Sequence, residues 1–231
     1  SFILKTYGVI LAAGESRRFD ADVNKLFYKI KDKELVLYPV ETFLNNKSID
    51  EVVIVSSESN KSALENLFKD KYKLTVIEGG SSRQESEYCA IQYLKKIATD
   101  DSIVAIHDAA RCFLSSELLT NLVETAKKYG SAAPYIDSGK FYNISNNDLN
   151  IEKKIVDIQT PQIYKYKELL DGYSHLSDKD INNMVDTTES MYNFNKFKTH
   201  VIKGEENNLK ITYLSDLNLF KSVDKQLWII Y

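Results

Sequence analysis

Short apolar runs alternate with amphipathic segments through residues 7–136, and this alternation constrains the fold more than any other feature of the chain. The apolar runs are rich in Val and Ile, as buried strands are. We predict strands at residues 9–11, 51–56, 74–77, 102–106 and 131–136. Apolar residues at helical spacing predict helices at residues 35–44, 59–69, 84–97 and 115–128. Such alternation predicts βαβ units and an α/β, Rossmann-like fold with a mostly parallel central sheet.

The alternation breaks at residues 137–158, a polar, Asn-rich segment with two short apolar runs that could pair as a hairpin. It is too long for a routine loop, so it predicts an arm that meets a partner chain, or else a floppy insertion. Beyond it we predict helices at 165–173, 186–193 and 214–225 and a strand at 199–203. We expect residues 1–231 to form a single domain with this arm.

Composition excludes several classes of protein. A hydrophobic fraction of 43% is enough for a packed core, and a net charge of −3 argues against a nucleic-acid partner. No run approaches the roughly 18 apolar residues of a membrane span, and the N-terminus lacks a signal-peptide pattern. The two cysteines, Cys89 and Cys112, have no metal-site spacing and fit a reducing compartment. We therefore expect a cytoplasmic protein without a membrane partner.

The loop after the first predicted strand carries small residues followed by cations. Ala12, Ala13 and Gly14 leave the backbone uncovered, and Arg18 and Lys25 follow. Exposed backbone N–H groups can cradle phosphate oxygens, and fixed cations can neutralise charge that develops during a reaction. The pattern matches neither a Walker loop nor a three-glycine dinucleotide fingerprint. By itself, it is equally consistent with an ordinary βα turn that carries solvated arginines.

Polar residues also follow the other predicted strands. They lie at residues 79–83 with Ser86 one turn later, at residues 107–111, and at residues 208–212 beyond the last strand. Ligands of open parallel sheets bind at the carboxyl ends of the strands, so these segments predict one shared site.

Three of these side chains allow two interpretations each. Asp108 is either a helix cap or the carboxylate that bridges Mg²⁺ to phosphates. Lys210 is either a solvated charge or a cation held between apolar neighbours. His107 is better explained as a hydrogen-bonding partner within the fold than as a base. Since no Ser-His-Asp or Cys-His set is present, nucleophilic catalysis by the protein has little support.

Five sequence blocks, in order, resemble one known family. They are LAAGESRRF followed by NK, GGSSRQES, VAIHDAARCFL, QTPQIY and GEENNLKIT with DL three residues later. Over about residues 7–220 the chain resembles the 2-C-methyl-D-erythritol 4-phosphate cytidylyltransferases of the non-mevalonate isoprenoid pathway. The related ribitol-5-phosphate cytidylyltransferases share much of this set. The resemblance implies an α/β nucleotidyltransferase fold, a homodimer built through the arm, CTP as donor and Mg²⁺ as cofactor.

The resemblance also implies roles for individual residues. Nucleotide-binding positions are Leu11, Ala12, Ala13, Gly14, Glu15, Gly80, Ser81, Arg83, Ser86, Asp108 and Ala109. Acceptor-binding positions are Asp137, Lys140, Lys154, Thr160 and Lys210, with Thr160 reaching the substrate from the dimer partner. Asp108 would bind the metal, while Arg18, Lys25 and Lys210 would carry the charge of the transition state.

Departures from the family pattern fall mainly on the acceptor side. Glu152 stands where the family has an arginine that positions the acceptor phosphate, so Lys153 or Lys154 would have to replace it. Val185 replaces a threonine, and residues 24–26 read Asn-Lys-Leu where the family commonly has Pro-Lys-Gln. We expect transfer of a cytidylyl group from CTP to 2-C-methyl-D-erythritol 4-phosphate. The alternatives are ribitol 5-phosphate or another polyol phosphate as acceptor, and a non-catalytic nucleotide-binding module.

Overall fold

The computed structural model of the chain describes residues 3–14, 19, 24–175, 177, 184 and 186–218, and it confirms the α/β architecture. The strands are β1 (Thr6–Ala12), β2 (Lys29–Ile30), β3 (Lys33–Glu34), β4 (Glu51–Ser56), β5 (Thr75–Glu78), β6 (Ile103–Asp108), β7 (Ser131–Ser145), β8 (Asp148–Ile158), β9 (Gln162–Lys165) and β10 (Val201–Lys203). The helices are α1 (Leu37–Leu44), α2 (Glu58–Phe68), α3 (Arg83–Leu94), α4 (Ser116–Tyr129), α5 (Tyr166–Ser174) and α6 (Thr187–Asn195).

One eight-stranded sheet organises the molecule, in the order β10-β7-β9-β6-β1-β4-β5, with β8 paired to β7. Strand β1 pairs in parallel with β4 and β6, and β4 pairs in parallel with β5. Strand β9 is antiparallel to both β6 and β7. Strands β1, β4, β5 and β6 are therefore parallel, and their carboxyl ends, where the polar residues were predicted to meet, lie at one edge of the sheet.

The sequence analysis did not predict β9. Residues 162–164 had no predicted element, and Lys165 was placed in the helix predicted at 165–173, which begins one residue later at Tyr166. Ile163 and Tyr164 of this strand are fully buried, because they pair with the buried strand β6 on one side and β7 on the other. A four-residue strand without alternation carries too little local pattern to be predicted.

The core fills both faces of the sheet. Along β1, Val9 and Leu11 pack with α3 and α5, whereas Ile10 and Ala12 pack on the opposite face with α1 and α4. Successive side chains of a strand point to opposite faces, so a strand covered by helices on both sides is apolar throughout. At Gly8 a side chain would collide with the ring of Phe43, so this position requires glycine for close packing.

Serine caps define where three helices begin. The side chains of Ser57, Ser82 and Ser115 accept hydrogen bonds from the amides of Asn60, Glu85 and Leu118. Such caps satisfy backbone N–H groups that have no partner within the helix. Helices α2, α3 and α4 therefore begin within one residue of the predicted positions. Helix α3 ends at Leu94, three residues before the predicted end.

The predicted hairpin at residues 137–158 is confirmed. Strands β7 and β8 pair antiparallel, and Asn146 and Asn147 connect them with φ of 52° and 65°. Positive φ at both central residues is typical of a tight hairpin turn, and asparagine tolerates it. Ile144 and Leu149 are register partners beside this turn and are 73% and 63% exposed. The arm therefore carries an apolar tip.

The C-terminal elements agree in part with expectation. Helix α6 and strand β10 lie at two of the predicted positions. Of the helix predicted at 214–225, all described residues are helical: a 3₁₀ turn, Leu214–Asp216, leads into α-helical residues 217 and 218, and residues from 219 onward lie outside the described residues. Within the part of the chain that the structure describes, no helix is long and apolar enough to cross a membrane.

Candidate active site

Segments from four distant parts of the chain meet around a cavity of about 310 Å³. Its walls include these predicted residues: Leu11, Ala12, Ala13, Gly14, Lys25, Ser81, Arg83, Ser86, Asp108, Ala109 and Lys210. Leu26, Ser82 and Ala110 complete the lining. The cavity lies at the carboxyl ends of β1 and β6, where open parallel sheets bind their ligands. Glu15 and Arg18 lie outside the described residues.

Asp108 is the carboxylate at the centre of the basic side chains. Arg83 donates a hydrogen bond of 3.0 Å from Nε to Asp108 Oδ1. Lys210 Nζ lies 3.7 Å and Arg111 Nε 4.0 Å from Oδ2. Burial by itself would raise the pKa of Asp108, but the charges of Arg83, Lys210 and Arg111 outweigh burial and hold that pKa well below its usual range. Asp108 is therefore ionised at neutral pH.

Glu87 is a second carboxylate behind the cavity wall, and the sequence analysis did not identify it. Arg83 Nη1 donates to Glu87 Oε2 at 3.1 Å, and the hydroxyl of Thr187 donates to the same oxygen at 2.8 Å. Glu87 is fully buried. Burial raises its pKa, while the charge of Arg83 opposes that rise. The position of Glu87 four residues after Arg83 on α3 was the clue in the sequence, because such residues share a helix face.

The loop before α3 is held by its own side chains. The amide of Gly80 donates to Ser86 Oγ at 3.2 Å, and the amide of Ser81 donates to Glu85 Oε2 at 2.6 Å. The hydroxyl of Ser81 also donates to Glu85 Oε2, and these hydrogen bonds lower the pKa of Glu85. Any Cβ atom at Gly80 would collide with the side chain of Glu85. The loop therefore requires glycine at residue 80.

Since the resemblance implies that Gly80 binds the nucleotide CTP, Gly80→Val is expected to raise the KM for CTP by about tenfold or more. The new side chain must displace Glu85, and losing one hydrogen bond to a charged group costs about 1.5–3 kcal/mol. Steady-state kinetics with varied CTP will measure this. Gly130→Ala is a control for a general loss of stability, because the φ of 87° at Gly130 disfavours a side chain and Gly130 does not line the cavity. An unchanged KM for CTP in Gly80→Val would place the nucleotide elsewhere.

The ammonium group of Lys25 is held by the chain segment that carries Lys210. Lys25 Nζ donates to the carbonyl of Ile211 at 3.0 Å, and the amide of Ile211 donates to the carbonyl of Ala110 at 2.9 Å. Asn24, at the position where the family commonly has proline, accepts a hydrogen bond from the amide of Leu26 and caps the turn Lys25–Phe27. This departure from the family pattern therefore preserves the local structure around Lys25.

His107 lies beneath the site and does not line the cavity. Its ring is fully buried, with Nε2 2.9 Å from the carbonyl oxygen of Arg111 and Nδ1 2.8 Å from Thr160 Oγ1. These contacts confirm that it hydrogen-bonds within the fold. Thr160 is 2% exposed, and its hydroxyl lies against His107 and Asp108 of its own chain. A contact between Thr160 and the substrate of a dimer partner stays a prediction.

Burial of His107 makes stability depend on pH. Burial lowers its pKa from 6.5 to about 4, so the folded state favours the neutral ring. Its contribution is fully present above pH 6.5 and is lost as the pH falls toward about 4, by at most roughly 3 kcal/mol. Urea unfolding of metal-free protein between pH 7.5 and 4.5 should show this loss. His107→Asn should flatten the dependence and the surface variant His200→Gln should retain it; parallel curves for wild type and His107→Asn would contradict the assignment.

The acceptor residues predicted on the arm do not line the cavity of this chain. Asp137 accepts a hydrogen bond of 3.2 Å from Lys203. Lys140 and Lys154 are register partners across β7 and β8. The side chains of Glu152 and Lys154 and the whole of Val185 lie outside the described residues. Acceptor binding by the arm stays a prediction.

Asp108 can bind a divalent cation only if groups other than the described His, Cys, Asp and Glu side chains supply the remaining ligands. Among the described residues, no three His, Cys, Asp or Glu side chains are grouped closely enough to ligate one metal ion. Lys210 Nζ at 3.7 Å and Arg111 Nε at 4.0 Å are too far from Asp108 Oδ2 for hydrogen bonds, so these two described cations leave room for a ligand at that oxygen. Mg²⁺ typically takes one or two carboxylates and completes its shell with substrate phosphates and water, so the site fits such an ion.

The fold and the site together define a nucleotidyltransferase: small residues and fixed cations surround a cavity at the carboxyl ends of parallel strands. The family model IspD, described as 2-C-methyl-D-erythritol 4-phosphate cytidylyltransferase, matches residues 7–223. The chain therefore belongs to the 2-C-methyl-D-erythritol 4-phosphate cytidylyltransferase family, a family of isoprenoid-pathway transferases.

Individual relatives agree with this assignment. The 2-C-methyl-D-erythritol 4-phosphate cytidylyltransferase of Thermosipho africanus is 36% identical, over 92% of this chain and 95% of its own length. That of Clostridium tetani is 32% identical, over 92% of this chain and 87% of its own. Among solved structures, the bifunctional IspDF of Campylobacter jejuni is 28% identical with a TM-score of 0.75. The match covers 93% of this chain and 53% of that longer protein. The Francisella tularensis enzyme, at 23% identity over 94% and 98% of the two chains, shares the fold with a TM-score of 0.77.

Proposed function

We propose that this chain catalyses the reaction of CTP with 2-C-methyl-D-erythritol 4-phosphate, forming 4-diphosphocytidyl-2-C-methyl-D-erythritol and pyrophosphate. The observation that carries the proposal is the cavity where Ala12–Gly14, Lys25, Arg83, Asp108 and Lys210 meet. Family membership and the names of the curated relatives support the choice of substrates.

The chemistry requires positioning and charge neutralisation more than acid–base catalysis. An oxygen of the acceptor phosphate attacks the α-phosphorus of CTP in line, and the bond from that phosphorus to the bridging oxygen breaks as pyrophosphate leaves. The attacking phosphate is already an anion, so no general base is required. Two anionic groups must nevertheless approach each other, and fixed cations lower the cost of that approach.

The residues of the cavity suit these tasks. The uncovered backbone at Ala12–Gly14 and the loop at Ser81 would hold the nucleotide. Lys25 and Lys210 would neutralise charge on the phosphates, as would Arg18. Asp108 would hold a divalent cation, which supplies further positive charge to the triphosphate when it is bound. Because Arg83 already bridges Asp108 and Glu87, its main task is to keep Asp108 in place.

We further propose that two copies of the chain pair through the arm and that each arm completes the acceptor site of the other copy. The exposed apolar pair Ile144 and Leu149 at the tip favours a protein partner. Lys140 and Lys154 are register partners of β7 and β8, and lysine is a common residue at phosphate contacts. Sedimentation of the wild type and of Ile144→Asp with Leu149→Asp tests the pairing.

Pyrophosphate release tests the reaction. Purified protein is incubated with CTP, Mg²⁺ and either 2-C-methyl-D-erythritol 4-phosphate, ribitol 5-phosphate or no acceptor. We expect release with the methylerythritol phosphate at a kcat/KM well above that with ribitol 5-phosphate. Preference for ribitol 5-phosphate would establish the alternative acceptor, which the names of the curated relatives do not favour. Absence of release with every acceptor would refute the proposed reaction.

A further inference from the structure

Three segments of the chain are joined beneath the cavity by a closed circuit of hydrogen bonds. The amide of Asp108 donates to Thr160 Oγ1 at 3.1 Å, and the same hydroxyl lies 2.8 Å from His107 Nδ1. His107 Nε2 lies 2.9 Å from the carbonyl oxygen of Arg111. Arg111 Nη1 donates to the carbonyl of Asn208 at 2.8 Å, and Asn208 Nδ2 donates to the carbonyl of Thr160 at 2.8 Å. Thr160 supplies both the hydroxyl and this carbonyl, so the hydrogen bonds form a closed circuit.

The chemistry of the groups sets the direction of each hydrogen bond in this circuit. An amide only donates and a carbonyl only accepts. The oxygen of Thr160 therefore accepts from Asp108. The carbonyl of Arg111 needs a donor, so Nε2 of the neutral His107 ring carries the single ring proton. Nδ1 then has only a lone pair, and the hydroxyl of Thr160 donates to it. A fully buried ring with one acceptor nitrogen and one N–H is the neutral Nε2–H tautomer.

The circuit also connects the groups that carry charge in the site. Arg111 lies at the end of the turn that follows Asp108, because the amide of Arg111 donates to the carbonyl of Asp108 at 3.0 Å. Asn208 is fully buried and lies two residues before Lys210. The hydroxyl of Thr160 therefore hydrogen-bonds to the segment that contains Asp108. The carbonyl of Thr160 hydrogen-bonds to the segment that contains Lys210.

We propose that Thr160 is a positioning residue, whose hydroxyl accepts from the amide of Asp108, donates to Nδ1 of His107 and thereby fixes Asp108 and Arg111 relative to Lys210. The role rests on the proposed function in one respect, namely that the reaction needs these charges at fixed spacing. With 2% of its surface exposed and its hydroxyl bonded on both sides, Thr160 is poorly placed to contact an acceptor. Contact with substrate and positioning of His107 lead to different results in the same experiment.

Two substitutions separate these roles. Thr160→Ser keeps the hydroxyl, and Thr160→Val keeps the shape but can neither accept from Asp108 nor donate to His107. ¹⁵N NMR of the imidazole rings at pH 7, without substrates, reports which ring nitrogen carries the proton. His175→Gln and His200→Gln identify the His107 signals by elimination, since the chain has 3 histidines.

We expect the Nε2–H tautomer in wild type and in Thr160→Ser, and in Thr160→Val a changed ¹⁵N shift of Nδ1, because that nitrogen loses the hydrogen bond from Thr160. We expect Thr160→Val to lower kcat by about 10- to 100-fold with the acceptor KM within about threefold, because a buried donor and a buried acceptor lose their partner. Thr160→Ser should keep most of the wild-type kcat.

The opposite pattern overturns the proposal. If Thr160→Val raises the acceptor KM at unchanged kcat while the ring signals stay as in wild type, Thr160 contacts the acceptor. If Thr160→Val does not fold, the wild-type spectrum still decides, because a proton on Nδ1 of His107 contradicts the circuit. The NMR result does not depend on turnover, so failure of the proposed reaction would be distinguishable from failure of this inference.

Discussion

Lys25→Ala is expected to lower the turnover of CTP by about 10²–10³-fold, because loss of one preorganised charge at a developing anion costs roughly 3–4 kcal/mol. Lys25 lines the cavity, and its ammonium group is held by the carbonyl of Ile211 at 3.0 Å. Such a fixed cation needs little reorganisation when negative charge accumulates. Pyrophosphate release at saturating CTP and acceptor measures the loss, and circular dichroism checks that the fold is intact. Arg18→Ala should lower turnover by a similar factor.

A nearby lysine provides a matched control for that experiment. Lys29 lies four residues further along the chain, with a side chain that is 61% exposed and 3.8 Å from Glu34. Lys29→Ala removes the same charge outside the cavity and should leave turnover within about twofold, since exposed pairs of this kind contribute little. Turnover close to wild type in Lys25→Ala would remove Lys25 from the catalytic residues.

Glu87→Ala is expected to destabilise the protein by about 3–5 kcal/mol, because it leaves the charge of Arg83 without one of its two carboxylates in a buried place. The carboxylate also accepts the hydroxyl of Thr187, the first residue of α6, so its loss weakens the contact between α3 and α6. Urea unfolding followed by circular dichroism measures the change. If the slope with urea is unchanged, the shift of midpoint reports stability alone.

An exposed glutamate serves as the comparison. Glu124 has a side chain that is 64% exposed and lies 3.7 Å from Lys127 on α4. Glu124→Ala should change stability by less than about 1 kcal/mol. Should Glu87→Ala cost no more than Glu124→Ala, Arg83 would not depend on Glu87 and the ion pair would have no structural importance.

Local patterns predicted most of the regular structure. Strand β4 has the predicted bounds, and the serines that cap α2, α3 and α4 determine where those helices begin. These features depend on interactions within a few residues, which a sequence displays directly. The segment Gln162–Lys165 shows the converse, because it is a strand only through its pairing with β6 and β7.

Helix α3 illustrates how packing alters a local expectation. Tyr88, Ile91 and Leu94 stand at helical spacing, which is typical of a buried face, and Ile91 and Leu94 are buried. The structure buries the polar Glu87 as well, whereas Tyr88 is only partly buried. A second buried face exists because α5 and α6 pack beside α3, and their arrangement depends on residues about a hundred positions away.

The sequence alone determined the strand ends at which the site forms, its small residues and cations, and the family to which they point. These follow from side-chain type and order along the chain. Tertiary structure alone decided that Arg83 joins Glu87 to Asp108 and that the hydroxyl of Thr160 faces His107 and Asp108 of its own chain. The physical reason is that burial and hydrogen-bond partners depend on which distant segments pack together, and a linear pattern does not contain that information.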